Sequence, residues 1–365
     1  MKRSLAFLAV LLLLLSAAPA DAARRRTVRR PPEPILPEAL MDALAASALA
    51  GGVPGVSIAI ASGDARLAKG YGKTVGEAKS VTADSIFQIA SLTKQFTAAA
   101  ILALEEDGRL SLDDPVTRFI PELDLGGRTV TLHHLLTHTS GLRTETEFLL
   151  DPYAPAAQAD VIRLIGTRGF ATEPGTAEAY NNAGYWLLGV VIERVTGMTY
   201  ASWLEQRFFV PLSMTRTAYC GTGPAVPVPT GSYELFGLAT PARPVDMSIA
   251  FAAGALCSTA GDLVAWSAAL AGGEAISPSS YQKMTTPARL NDGTVLDYGY
   301  GLGLGSMEGA FTTSHAGTIP GFQSYMLHAP SRGITVAVLA NANSTSRDWP
   351  REIARELARA MLSDQ

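Results

Sequence analysis

Cysteine is nearly absent from the chain: Cys220 and Cys257 are the only two in 365 residues. Neither stands in a Cys-x-x-Cys pair, so no cysteine-built metal site is encoded. Lysine is scarce as well, with six residues. Charged residues make up 17% of the chain and the net charge is −4, which argues against nucleic acid as a main partner. No Gly-x-Ser-x-Gly occurs, so the nucleophile-elbow signal of the α/β-hydrolases is missing. No apolar run reaches the roughly 20 residues of a spanning helix, and no internal repeat is visible. What remains is an apolar chain, 47% hydrophobic, long enough to bury a sizeable core.

Its start reads as an export signal. Lys2 and Arg3 precede an apolar run over 5–15, followed by Ala18-Pro19-Ala20 and Ala20-Asp21-Ala22 as candidate cleavage sites. No cysteine follows for a lipid anchor. Arg24, Arg25, Arg26, Arg29 and Arg30 crowd the next segment, where positive charge opposes translocation. Export to the periplasm or medium is the expectation, with an uncleaved anchor as the alternative and the only expected link to a membrane. The expected organisation is a signal peptide over 1–22, an Arg/Pro-rich linker over 23–35 and one domain over 36–365. In an exported chain an even cysteine count points to a Cys220–Cys257 disulfide. The alternative is two buried thiols packing as small hydrophobes.

Within the domain, 35–50 is Leu/Ala-rich with helical spacing and stops at Gly51-Gly52. Val56, Ile58 and Ile60 alternate with small residues, and 66–71 reads as the return strand of a hairpin. A helix over 91–107, apolar nearly all round, should be buried. From about 110 to 245 the pattern is helical pieces broken by Pro and Gly. Strand-like runs follow at 311–316, 323–329 and 334–340, then a helix over 349–362. Strands at both ends with helices between predict an α+β sandwich. Its antiparallel sheet, of about five strands, is built from both termini (36–110 and 246–365) and flanked by helices. Residues 111–245 form a mainly helical subdomain, and the cleft between the parts is the expected site.

Ser91-Leu92-Thr93-Lys94 sets a hydroxyl and an amine three residues apart at a helix start, hence on one face. A serine hydroxyl needs a base within reach. A lysine whose pKa is lowered by burial and by the helix N-terminus can serve. The same N-terminus offers N–H groups to an oxyanion. The spacing alone is weak, since Ser280-Tyr281-Gln282-Lys283 repeats it in a polar stretch and an N-cap role explains Ser91 equally. Tyr180-Asn181-Asn182 is the only Tyr-x-Asn in the chain: Tyr180 can shuttle protons beside a lysine and Asn182 can hold a substrate carbonyl. The plainer reading is a packed tyrosine and an N-cap asparagine. His315-Ala316-Gly317, the only His-x-Gly, falls on a predicted strand. There Gly317 would admit a substrate backbone and the Thr318 amide would complete an oxyanion hole with that of Ser91. Its plainer reading is a core or turn histidine.

In this order the three elements resemble the penicillin-recognising serine hydrolases, relatives of the set known for β-lactamases and penicillin-binding proteins. Four phrases are similar to the class C β-lactamase and DD-peptidase branch, which includes related esterases. They are His134-Leu135-Leu136-Thr137-His138-Thr139-Ser140-Gly141-Leu142, Pro174-Gly175-Thr176, Ser258-Thr259-Ala260-Gly261-Asp262-Leu263 and Tyr298-Gly299-Tyr300-Gly301-Leu302-Gly303. The resemblance covers roughly 40–362. It implies Ser91 as nucleophile, with Lys94 and Tyr180 sharing proton transfers through an acyl-enzyme. The third motif, usually Lys-Thr-Gly in β-lactamases, is His315-Ala316-Gly317 here. A permanent positive charge for a drug carboxylate is therefore missing, which fits D-peptidase or esterase relatives better.

The competing readings are a β-lactamase of class C type, a catalytically silent relative binding peptidoglycan or a protein, and a zinc hydrolase through His134 and His138. The last lacks an acidic third ligand and a Glu base. A monomer acting on a small-molecule or peptide substrate, with no cofactor and no metal, is the expectation. A histidine of ordinary pKa near 6.5 is mostly neutral at pH 7.5. If His315 holds a substrate carboxylate, acidification to about pH 6 should improve recognition, and His315→Lys should imitate that gain.

Overall fold

The computed structural model describes residues 36–75, 79–144, 149–221, 228, 230–235, 238–344 and 347–363. The export signal and linker assigned to 1–35 lie outside the described residues.

A six-stranded antiparallel sheet forms the frame. Its strands are β1 (Gly55–Ser62), β2 (Ala65–Gly72), β3 (Gly303–Met307), β4 (Ala310–Ile319), β5 (Phe322–Ala329) and β6 (Ile334–Ala340). The spatial order is β2-β1-β6-β5-β4-β3, so β1 from the N-terminal part lies between β2 and β6, with Val56 opposite Ala340 and Ile60 opposite Val336. Every residue of β1 is buried, and the period of two sorts them. Val56, Ile58 and Ile60 join the layer of the terminal helices α1 (Glu38–Ala50) and α5 (Trp349–Ser363). The small Ala59 and Ala61 face the larger core on the other side. That core holds α2 (Thr93–Glu106), α3 (Asn182–Thr196) and α4 (Ala260–Gly272). Residues 93–104 of α2 are all buried, as an all-round apolar helix requires.

Three features depart from the sequence reading. The sheet, expected to have about five strands, has six, the strand not read being β3, where Gly303 and Gly305 remove an apolar alternation. Short strands occur where only helical pieces were expected: Ala218–Tyr219, Ser232–Leu235 and Leu238–Pro241. Runs of two to four residues are too short to show a period. The helix α4 is capped by Thr259, whose side chain accepts the Asp262 N–H, within a phrase read only as part of a resemblance.

Candidate active site

The segment before Ser91 is fixed from both sides. Phe87–Gln88 pairs antiparallel with Leu256–Ser258. The Ile89 N–H donates to the Leu256 carbonyl at 2.9 Å, and the Leu256 N–H donates to Thr93 Oγ1 at 3.2 Å. Ser324 of β5 donates its hydroxyl to the Ile89 carbonyl at 2.8 Å. Ala90 then takes φ +48°, a left-handed conformation unfavourable for a residue with a Cβ. A short 3-10 turn, Ala90–Leu92, leads into α2. Ser91 is half-buried at this turn, and the first amides of such a helix start lack intrahelical partners.

Lys94 is fully buried. Its Nζ donates to Ser91 Oγ at 3.1 Å, to Asn182 Oδ1 at 2.8 Å and to the Ala253 carbonyl at 2.8 Å. Three N–H groups on three oxygens suit an ammonium. The ring centroids of Tyr180 and Tyr185 stand 4.8 and 5.5 Å from Nζ. Ala253 follows a second strained residue, Phe251 at φ +36°. By contrast Lys283 pairs with Glu105 in an exposed salt bridge of 2.8 Å, and the Ser280 N–H is taken by the Ser277 hydroxyl at the cap of a separate helix, Pro278–Met284. In the second Ser-x-x-Lys the lysine is engaged by Glu105 and not by the buried Ser280 hydroxyl.

The Tyr-x-Asn segment enters α3. Asn181, not Asn182, is its N-cap, accepting the Gly184 N–H. Asn182 turns Oδ1 to Lys94, accepting from its Nζ. Tyr180 is 45% exposed, placing it at the mouth, with its ring 4.4 Å from that of His138.

His315, on β4, is buried and 6.1 Å ring to ring from Tyr180. Its Nε2 meets Tyr298 Oη at 3.0 Å and its Nδ1 meets the Ala316 carbonyl at 2.6 Å. Burial, reinforced by the Lys94 charge, pushes its pKa down to about 3. It is therefore neutral at pH 6 as at pH 8, and the gain expected on acidification has no group to carry it. Gly317 has a packing reason of its own. A Cβ there would stand 2.2 Å from Ser324 Oγ and 2.4 Å from the Ile89 carbonyl. The protein's own nucleophile turn already requires the missing side chain. Thr318 is exposed one residue further on.

His134 and His138 do not face a common point. His134 Nδ1 accepts the Thr131 N–H in a capping box, whereas His138 joins the site through Asn181 and Tyr298. No cluster of three metal-ligating side chains occurs among the described residues. His138 and Tyr298 are the contributors that sequence reasoning missed. Both stood in phrases recognised as similar to a family, but their meeting depends on the fold. Cys220 and Cys257 are joined, S–S 1.96 Å, tying the end of strand Ala218–Tyr219 to Leu256–Ser258 behind the nucleophile turn.

A helix-borne serine with a buried lysine, set beside an antiparallel sheet, defines the class: serine hydrolases of the β-lactamase fold. A sequence profile of the family described as Beta-lactamase matches residues 38–360, and the chain belongs to that family. It is 32% identical to penicillin-binding protein 4* of Bacillus subtilis over 73% of this chain and 62% of that protein. It is 30% identical to a D-aminopeptidase of Gluconobacter oxydans over 83% of this chain and 59% of that protein. The chain thus spans about three-fifths of the length of these relatives. Among solved structures, D-amino acid amidase from Ochrobactrum anthropi SV3 superposes with a TM-score of 0.78 at 26% identity, over 90% of this chain and 99% of that one.

Proposed function

We propose that the protein is an exported hydrolase that forms an acyl-enzyme on Ser91 and acts on uncharged esters or on D-amino-acid amides and peptides. The observation that carries this reading is the buried Lys94 amine, 3.1 Å from Ser91 Oγ and held by Asn182 and Ala253. With the Lys94/Tyr180 pair one proton short, as amine with phenol or as ammonium with phenolate, Ser91 Oγ bonds to the acyl carbon as its proton passes to the pair, and the pair returns that proton to the leaving group. The amides of Ser91 and Thr318 take the oxyanion. Water then repeats the sequence and frees the acid.

The substrate class rests on His315. A neutral imidazole offers no Coulomb attraction to a carboxylate, so β-lactams lose the anchor that a lysine would supply. The D-aminopeptidase and D-amino acid amidase relatives support the amide side of the reading. A panel at pH 5.5–8 tests it: a short-chain nitrophenyl ester, a D-amino-acid amide, a D-Ala-D-Ala peptide and a chromogenic cephalosporin. The ester or the D-amide should turn over, with the cephalosporin slow at every pH and no better at pH 6. Efficient cephalosporin hydrolysis at pH 8 would overturn the substrate assignment.

A further inference from the structure

The imidazole of His138 meets the Tyr-x-Asn loop and, through Tyr298, the His-x-Gly strand, and the proposed chemistry uses neither its ring nor the hydroxyl of Tyr298. His138 is buried and sits at φ +59°. Its carbonyl accepts the Ala179 N–H at 2.9 Å and its Nδ1 accepts the Asn181 N–H at 3.0 Å. It therefore grips the backbone on either side of Tyr180. Its Nε2 lies 3.3 Å from Tyr298 Oη, which also meets His315 Nε2 at 3.0 Å. Beyond that ring, His315 Nδ1 meets the Ala316 carbonyl at 2.6 Å. We propose that His138 and Tyr298 are positioning residues, joining the Tyr-x-Asn loop to the His-x-Gly strand by one directed chain of hydrogen bonds.

The direction follows from the two ends. A backbone N–H can only donate, so His138 Nδ1 carries no proton and its Nε2 does. A carbonyl can only accept, so His315 Nδ1 carries the proton and its Nε2 does not. The middle is then determined: His138 Nε2–H donates to Tyr298 Oη, and the phenol donates to His315 Nε2. The two histidines must hold opposite tautomers, and both must be neutral, because an added proton on either ring turns an acceptor into a donor. The surrounding groups agree. Burial, and then the Lys94 charge, disfavour a charge on His138 as they do on His315. Tyr180, Tyr185 and Tyr298 surround the His138 ring at 4.4, 5.1 and 4.9 Å. The Tyr185 hydroxyl donates to the Leu136 carbonyl at 2.7 Å. It could offer Tyr298 a second acceptor, but His315 Nε2 would then need the proton that the Ala316 carbonyl holds on Nδ1.

The role rests on the Ser91 hydrolase reading; the proton arrangement does not. Long-range 15N–1H spectra of the imidazoles, assigned by single His→Gln variants, should show His138 as the Nε2–H tautomer and His315 as the Nδ1–H tautomer in the wild-type protein. The same tautomer at both would overturn the chain, whatever the fate of Ser91. Tyr298→Phe should disturb both signals and lower kcat by about 10- to 100-fold, as expected for misplacement without loss of a reacting group, with KM changed little. His138→Asn keeps an oxygen near the Nδ1 position and tolerates left-handed φ, but it reaches no further. It should match Tyr298→Phe, and the double variant should be no worse than the poorer single one. Wild-type kcat in Tyr298→Phe, or fully additive losses, would refute the positioning role.

Discussion

Lys94 is a side chain that ordinarily stays in water, buried where three neutral oxygens converge. Groups that act as one proton-transfer unit lose function together. Lys94→Ala and Tyr180→Phe should each slow acylation by about three orders of magnitude or more, with the double variant little worse than the poorer single one. Stopped-flow acylation by an activated ester checks this, and additive losses would separate the two residues. The Ser91–Lys94 pair was legible in the sequence because i,i+3 geometry follows from the helix itself. Choosing it over Ser280–Lys283 needed only the apolar surroundings. The charge of His315 was not legible, since a solution pKa carries no information about burial or about Lys94. Nor was the role of His138, because its partners are 43 and 160 residues away.

Strain gathers around the site at the level of elements. Five non-glycine residues among those described have positive φ, and three of them, Ala90, His138 and Phe251, abut the nucleophile turn, the Tyr-x-Asn loop and the Ala253 carbonyl. Such conformations persist where surrounding structure holds them; at Ala90 the holders are β5 through Ser324 and β4 through Gly317. Gly317→Ala should therefore destabilise the fold by about 1–3 kcal/mol through overpacking. It should also slow acylation, because the clash falls on the turn that presents Ser91. Urea unfolding together with acylation rates tests both effects, and a stable variant with unchanged acylation would show that the turn yields freely. The long elements were readable from period and caps: α1, α2, α5, β1, β5 and β6 lie close to their predicted ranges. The two-residue strands around Ser91 were not, because their pairing is set by partners distant in sequence.

In the whole molecule, one sheet separates a layer of terminal helices from the core that carries the site. No helix among the described residues is long and apolar enough to cross a membrane. The buried histidines give the fold a characteristic pH response. Burial depresses His315 to about 3 and His328 to about 4, and holds His138 well below its ordinary value. Below pH 6.5 the unfolded chain binds protons that the folded chain refuses. Stability is then full above about pH 6.5 and falls by about 1.4 kcal/mol per pH unit for each such histidine until its folded value is reached. Asp262 and Glu178, raised by burial, act in the opposite sense but start from ordinary values near 4. Unfolding free energies that are equal at pH 7.5 and pH 5 would contradict this. Protein recovered from the periplasm or medium should contain no alkylatable thiol before reduction, with Cys220 and Cys257 paired; two free thiols would argue against the exported reading. All of the proposed chemistry passes through Ser91. Intact-mass and peptide mapping after a fluorophosphonate or activated ester should place a single adduct on Ser91 in the wild-type protein and none in a folded Ser91→Ala variant. Undiminished labelling in Ser91→Ala, or an adduct on Ser280, would contradict it.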